Sequence, residues 1–191
     1  CGTSWSLAHI TARTVSVITT PFRHSANRDR SEFVQRISSP YTSLNMYVST
    51  IVLEVMRALN ADRCSVFFVD EVRKSLWCGG SVDMEPFSMA WDQGIVGLVA
   101  QNGQIINLAN AKEHRAFNPK FGCRTGYAVK ALLTAPIKKV TGLGRTIGVL
   151  QCLNKNGTED AFGDEDAEEM NRIIMLISDS FYRQRWKALQ S

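Results

Sequence analysis

Asn154-Lys155, a polar spacer, and then Phe162-Gly163-Asp164-Glu165-Asp166 decide how this chain folds. By themselves they are a strand end, a loop and a helix start. Upstream, Thr146 to Leu153 forms a strand, and Ala131 to Ile137 forms another. The turn Thr141-Gly142-Leu143-Gly144 joins the two. Downstream, Ala167, Met170, Ile173, Ile174, Ile177 and Phe181 recur at helical spacing and predict a long helix from Asp164. Asp164, Glu165 and Asp166 occupy its positive end, and Arg183, Arg185 and Lys187 its negative end. Both placements suit the helix dipole. Lys155 and Asp166 face each other across the loop. They form either a structural salt bridge that holds two segments around a closed pocket, or a solvated pair worth ~0–1 kcal/mol.

Further upstream, Leu44, Tyr47, Val48, Ile51, Val52, Val55 and Leu59 mark one face of an amphipathic helix. Pro40 stops any helix that begins near Ser31. Residues 1–40 are expected to be an arm or linker, and residues 41–191 the domain. Cys64 to Val69 is apolar, β-branched and aromatic, hence a buried strand. Leu76-Trp77-Cys78 returns from a polar turn, and Gly79-Gly80 ends or bulges that strand. Phe87 to Trp91 and Ile105 to Leu108 are short strands, with a short helix from Gly94 to Asn102-Gly103 between them. Residues 110–130 hold a short helix and a loop. This order predicts an α/β (α+β) fold with a central antiparallel sheet of about six strands.

The chain has 191 residues, 45% of them hydrophobic, enough for one domain with a sizeable core. No Lys/Arg cluster is interleaved with aromatics, so nucleic acid is not expected as a partner. No apolar run is long enough to span a bilayer. Five cysteines without C-x-x-C spacing fit a reduced, cytoplasmic compartment. His9, His24 and His114 are far apart and predict no metal site. The start at Cys1 rather than Met suggests a fragment.

Three segments carry chemistry. Gly94-Ile95-Val96-Gly97 opens a helix whose first N–H groups suit a phosphate; a plain strand-to-helix turn has the same pattern. Thr125-Gly126-Tyr127 offers a hydroxyl and a close backbone approach, as a ligand lid or as an ordinary loop. Trp77 stacks on a base or packs in the core. No hydrolase, zincin or P-loop motif is present, so no catalytic residue is assigned and no cofactor is expected.

Taken in order, these segments resemble the GAF domains of cyclic nucleotide phosphodiesterases. Asp62-Arg63-Cys64-Ser65 matches the family's first strand, and Gly94 to Gly97 its Gly-Ile-Ala-Gly turn. Asn107 to Ala111 with Phe117-Asn118, Thr125 to Tyr127, and Ile147 to Lys155 match later motifs. Asn154, Lys155, Phe162 and Asp166 match the closing signature, except that Ala167 stands where the family has Glu. The resemblance covers Leu44 to Phe181. It implies a GAF fold with helices on both sheet faces and long terminal helices. It also implies a cyclic nucleotide ligand, buried under a loop. Ser65, Trp77 and Cys78 would line the base, Ile95 and Val96 would meet the phosphate, and Asn118 and Thr125 would close over the ligand. Gln151 would form the floor, and Lys155 with Asp166 would be structural.

Cyclic-GMP-binding relatives often carry carboxylates where Cys78 and Gly122 stand, so cAMP is favoured over cGMP. The expected function is therefore an allosteric sensor and dimerisation module of a phosphodiesterase, not itself an enzyme. It would be a homodimer through its terminal helices, linked to a catalytic or second GAF domain. Two alternatives stand beside this. One is a GAF dimerisation domain that binds nothing, favoured by Ala167 and by Val129 where the family has Thr. The other is a free methionine sulfoxide reductase using Cys64, Cys78 and Cys123.

Overall fold

Strands β1 (Ala61–Asp70) and β6 (Thr146–Lys155) pair antiparallel at the centre of the molecule, and the rest is laid on either side of them. The computed structural model describes residues 26–39, 43–81, 86–119, 126–139, 144–157 and 160–190. β2 (Ser75–Ser81) and β3 (Phe87–Ala90) extend the sheet beyond β1. β5 (Leu132–Lys138) and β4 (Ile106–Leu108) extend it beyond β6. The result is one six-stranded antiparallel sheet in the order β3-β2-β1-β6-β5-β4. The register of β1 against β2 shifts between Ser65 and Phe67, opposite Gly79-Gly80, so the glycines bulge the strand rather than end it.

Successive strand residues face opposite sides, and the sequence loads both. Phe68, Leu133, Ile137 and Leu150 turn to one face. There they meet α1 (Ala26–Ser38), α2 (Leu44–Leu59) and α4 (Asp164–Ala188). Phe67, Val69, Leu76, Leu132 and Val149 turn to the other and meet α3 (Gly94–Asn102). Helices thus cover both faces. Phe181 of α4 stacks on Phe68 at 4.4 Å and 10°, and the Tyr47 hydroxyl of α2 lies 3.0 Å from Ser180 Oγ. Burial pushes the Tyr47 phenol well above its usual pKa, so it stays protonated.

α2 is capped as its sequence dictates. Ser43 Oγ accepts from the Met46 N–H at 3.2 Å, and Asn60 takes a left-handed conformation (φ 50°) at the other end. The helix expected near Ser31 begins at Ala26, and its Phe33 and Ile37 are buried in the main core. Residues 1–25, the remainder of the expected arm, lie outside the described residues, as do Pro40 and Thr141 to Leu143. The strand expected from Ile105 starts at Ile106, and the short helix expected after residue 110 is a 3-10 turn at Ala111–Glu113.

Candidate functional site

Between α3 and its sheet face lies a cavity of about 120 Å³, well above the ~10–15 Å³ that one water needs. Strand alternation sets its floor. Arg63, Ser65 and Phe67 of β1 line it together with Gln151 and Leu153 of β6. Ser65 pairs directly with Gln151, and Gln151 with Thr134 of β5, so these three share one row. The Gln151 amide donates to Thr134 Oγ1 at 3.1 Å. Phe87, Met89, Phe117, Tyr127 and Val129 make the walls largely apolar. Among the described lining residues Arg63 is the one cation, and none is a carboxylate.

The N-terminus of α3 closes one side. The first bond of this turn runs from the Gly97 N–H to the Gln93 carbonyl at 3.2 Å, so the N–H groups of Gly94, Ile95 and Val96 precede it at the cavity edge. The two glycines act differently. Gly94 has φ +67°, a conformation other residues avoid, and its missing side chain would meet nothing within 4 Å. Gly97 allows close approach, because a Cβ there would sit 2.3 Å from the Trp91 carbonyl oxygen.

Tyr127 anchors the segment that leads into β5. Its hydroxyl donates to the Asp62 carboxylate and accepts from Asn154 Nδ2 at 2.9 Å, and the Arg63 guanidinium lies 3.8 Å over its ring. Burial, and then the Asp62 carboxylate, push its phenol far above the usual pKa. Asn154 ties down the same segment. Its Oδ1 accepts from the Lys130 and Ala131 N–H groups at 2.8 and 3.2 Å, and its Nδ2 donates to the Ala128 carbonyl at 2.9 Å. Asn154 takes φ 50°, which Asn tolerates better than most residues. Next to it, Lys155 Nζ lies 2.7 Å from Asp166 Oδ2, each side chain 13% exposed. The same oxygen accepts from the Gly163 N–H at 2.8 Å, at the start of α4. The carbonyl of buried Phe162 accepts from Asn107 Nδ2 at 2.9 Å, tying the loop to edge strand β4.

The structure brings Ser65, Ile95, Val96, Asn118 and Gln151 together around one cavity. Thr125 lies outside the described residues, as do Gly122 and Cys123. Trp77 corrects the sequence expectation. It packs on Phe68 at 5.5 Å, on the α2 face, because its strand parity is opposite to that of the cavity floor. Cys78 has the right parity but is buried beside its cross-strand partner Phe87, which forms the wall in its place. Arg63 and Leu153 were missed, although period-two counting from Ser65 and Gln151 finds both. Cys64 and Cys78 face opposite sides of the sheet, so they do not approach a common site. Cys152, the cross-strand partner of Cys64, has its thiol pKa raised by burial. Among the described residues no group of three or more His, Cys, Asp or Glu is placed to hold a metal ion, and no helix is long and apolar enough to cross a membrane.

A family model described as "GAF domain" matches residues 43–179. The chain is 29% identical over 156 residues to dual 3',5'-cyclic-AMP and -GMP phosphodiesterase 11A of Takifugu rubripes, covering 75% of this chain and 17% of that protein. It is 35% identical over 144 residues to dual 3',5'-cyclic-AMP and -GMP phosphodiesterase 11 of Drosophila melanogaster, covering 66% of this chain and 10% of that protein. The chain thus spans a small part of the curated relatives it matches. The structure superposes on the GAF domain of an Acinetobacter phosphoenolpyruvate-protein phosphotransferase with a TM-score of 0.66 at 24% identity, covering 82% of this chain and 92% of that one.

Proposed function

Because the chain belongs to the GAF domain family and its relatives include cyclic nucleotide phosphodiesterases, we propose that it is a regulatory cyclic-nucleotide-binding domain of such an enzyme. One observation carries the proposal. The α3 N-terminus opens onto a largely apolar cavity whose described lining holds a cation and no carboxylate. Backbone N–H groups there suit a phosphate, and the apolar walls suit a purine. cAMP is preferred to cGMP, since guanine N1–H and N2–H₂ call for a carboxylate acceptor, and the described lining of the cavity holds none. Asn118 contacts the ligand from the cavity wall. The domain is cytoplasmic and passes its state through its terminal helices to a catalytic or second GAF domain. Hydrolysis belongs to the parent enzyme. Ligand acts through its preference for one arrangement of the domain.

Thermal melting with cAMP and with cGMP tests this. Ligand at ~100 times its Kd adds ~2.7 kcal/mol. For a chain of this size that raises Tm by roughly 5–10 °C. A shift with cAMP, larger than with cGMP, is expected. No shift with either, on nucleotide-free protein, refutes the sensor. A second reading then takes over: a dimerisation domain without ligand. It is favoured by Met46 and Leu53, exposed on α2, and by Met175, Leu176 and Tyr182, exposed on α4. Sedimentation of the same protein measures it directly.

A further inference from the structure

Thr134 is a buried polar residue in the same row as Ser65 and Gln151 of the floor. It is 0% exposed and does not reach the cavity. Its neighbours on that sheet face include Leu132 and Val149. A hydroxyl placed there costs stability unless it is bonded. Its bond runs to Gln151, the next residue of the row, whose amide donates to Thr134 Oγ1 at 3.1 Å. Gln151 in turn lines the cavity beside Ser65.

We propose that Thr134 is the positioning residue for Gln151, holding its carboxamide so that the carbonyl oxygen faces the ligand. A carboxamide has a donor end and an acceptor end. In this arrangement the Thr134 hydroxyl accepts from one of the two amide N–H groups, and the carbonyl end of Gln151 is the end turned to the cavity. Gln151 then selects a ligand that carries an N–H or O–H donor at that point of the floor. Without the hydroxyl at 134 the amide is free to turn over and present either end. This rests on the cyclic-nucleotide reading above, under which two groups supply such a donor: the exocyclic amine of the base and the ribose 2'-hydroxyl.

The test is a comparison of ligands, not of stabilities. Kd is measured by calorimetry for cAMP, for the 3',5'-cyclic monophosphate of purine riboside, which lacks the amine, and for 2'-deoxy-cAMP. The proteins are wild type, Thr134→Val and Thr134→Ser. One analogue should bind wild type about tenfold more weakly than cAMP, and which one identifies the donor. Thr134→Val should shrink that penalty to within about threefold, and Thr134→Ser should restore it. A merely structural Thr134 would weaken all three ligands alike and leave the ratios unchanged. Equal penalties in wild type and Thr134→Val overturn the proposal while leaving the cyclic-nucleotide reading intact. So does wild type binding both analogues as well as cAMP. No binding of any of the three to wild type overturns the cyclic-nucleotide reading, and this inference with it.

Discussion

Replacing Gly97 by Ala puts two effects in opposition, and their magnitudes decide the outcome. Ala is a better helix former than Gly by ~1 kcal/mol, and position 97 lies inside α3. Against this, the new Cβ would sit 2.3 Å from the Trp91 oxygen, 2.9 Å from the Trp91 carbonyl carbon and 3.2 Å from the Asp92 carbonyl carbon. All three are backbone atoms, so no side chain can swing aside. The first contact is about 1 Å short of ordinary van der Waals distance. α3 must therefore lift, yet Ile95, Val96, Val99 and Ala100 are buried under it. Overpacking of this kind costs about 1–3 kcal/mol, occasionally more, and with immovable backbone the upper end applies. The net is ~2 kcal/mol of destabilisation, or roughly 4–8 °C in Tm for a chain this long. Lifting α3 also displaces the N–H groups of Ile95 and Val96, so cyclic nucleotide affinity should fall at least tenfold, about the ~1.5 kcal/mol of one bond to a charged group. Differential scanning calorimetry and a titration measure the two effects. Gly94→Ala is the control: it has open space and pays only for φ +67°, ~1 kcal/mol. If Gly97→Ala melts within a degree of wild type, or proves milder than Gly94→Ala, close packing on Trp91 does not fix the cradle.

Asp166→Asn keeps an oxygen for the Gly163 N–H but removes the charge facing Lys155, whereas Asp166→Ala removes both. With each side chain 13% exposed, the pair sits between surface bridges worth ~0–1 kcal/mol and buried ones that cost ~3–5 kcal/mol to break. Urea unfolding should show about 1–2 kcal/mol lost for Asn and about 2–3 for Ala; losses below ~0.5 kcal/mol for both would deny the pair its structural role. Asp70 supplies a pH test. Burial pushes its carboxyl pKa up, but the Val72 and Arg73 N–H groups, each 3.0 Å from Oδ1, and the Arg73 guanidinium at 3.1 Å outweigh burial and bring it down. A depressed folded pKa gives stability that is present above the unfolded value of ~3.9 and is lost as pH falls through the folded one. Asp70→Asn should thus be less stable than wild type at pH 7, with the gap narrowing in acid; unfolding curves that stay parallel from pH 7 down to roughly pH 3 would refute this.

The sheet was legible because its strands are short, apolar and bounded by Gly and polar turns. Ser65 and Gln151 were legible only through the family resemblance, which places both at the pocket. Trp77 shows where reading failed. Whether it faces cavity or core depends on strand parity, and a single-residue change of register reverses that. The bulge at Gly79-Gly80 sits one residue beyond Cys78, so no count along β2 alone settles its face. Phe33 and Ile37 failed for another reason. One apolar turn in a polar stretch gives little periodicity, and α1 shows its buried side only against α2 and α4. Thr134 stands out as a buried polar residue in an apolar strand, but its partner cannot be read from that strand. Its meaning comes from Gln151, 17 residues away.

How occupancy could reach the terminal helix follows from the same alternation. β1 and β6 turn alternate residues to the α3 face, where some of them line the cavity, and the others to the α2 and α4 face. Val149 lies under α3, while its neighbour Gly148 backs onto Phe181 so closely that an added Cβ would lie 2.4 Å from the ring. β6 therefore has no slack toward α4 at that point. A second path leaves the cavity wall at Tyr127, crosses to Asn154, and continues one residue on through Lys155 to Asp166 at the first turn of α4. A third fixes the far end of that helix, where Arg185 donates to the Val69 carbonyl at 2.9 and 2.6 Å and Arg73 to the Leu189 carbonyl at 3.0 Å. α4 is thus held at its start, middle and end by the sheet that floors the cavity. A ligand that favours one placing of Tyr127 or of β6 biases α4 only by its difference in affinity between the two placings. A tenfold difference is worth ~1.4 kcal/mol, about as much as the Lys155–Asp166 contact is expected to contribute. Asp166→Asn should therefore weaken the link between ligand and α4 as strongly as it weakens the fold.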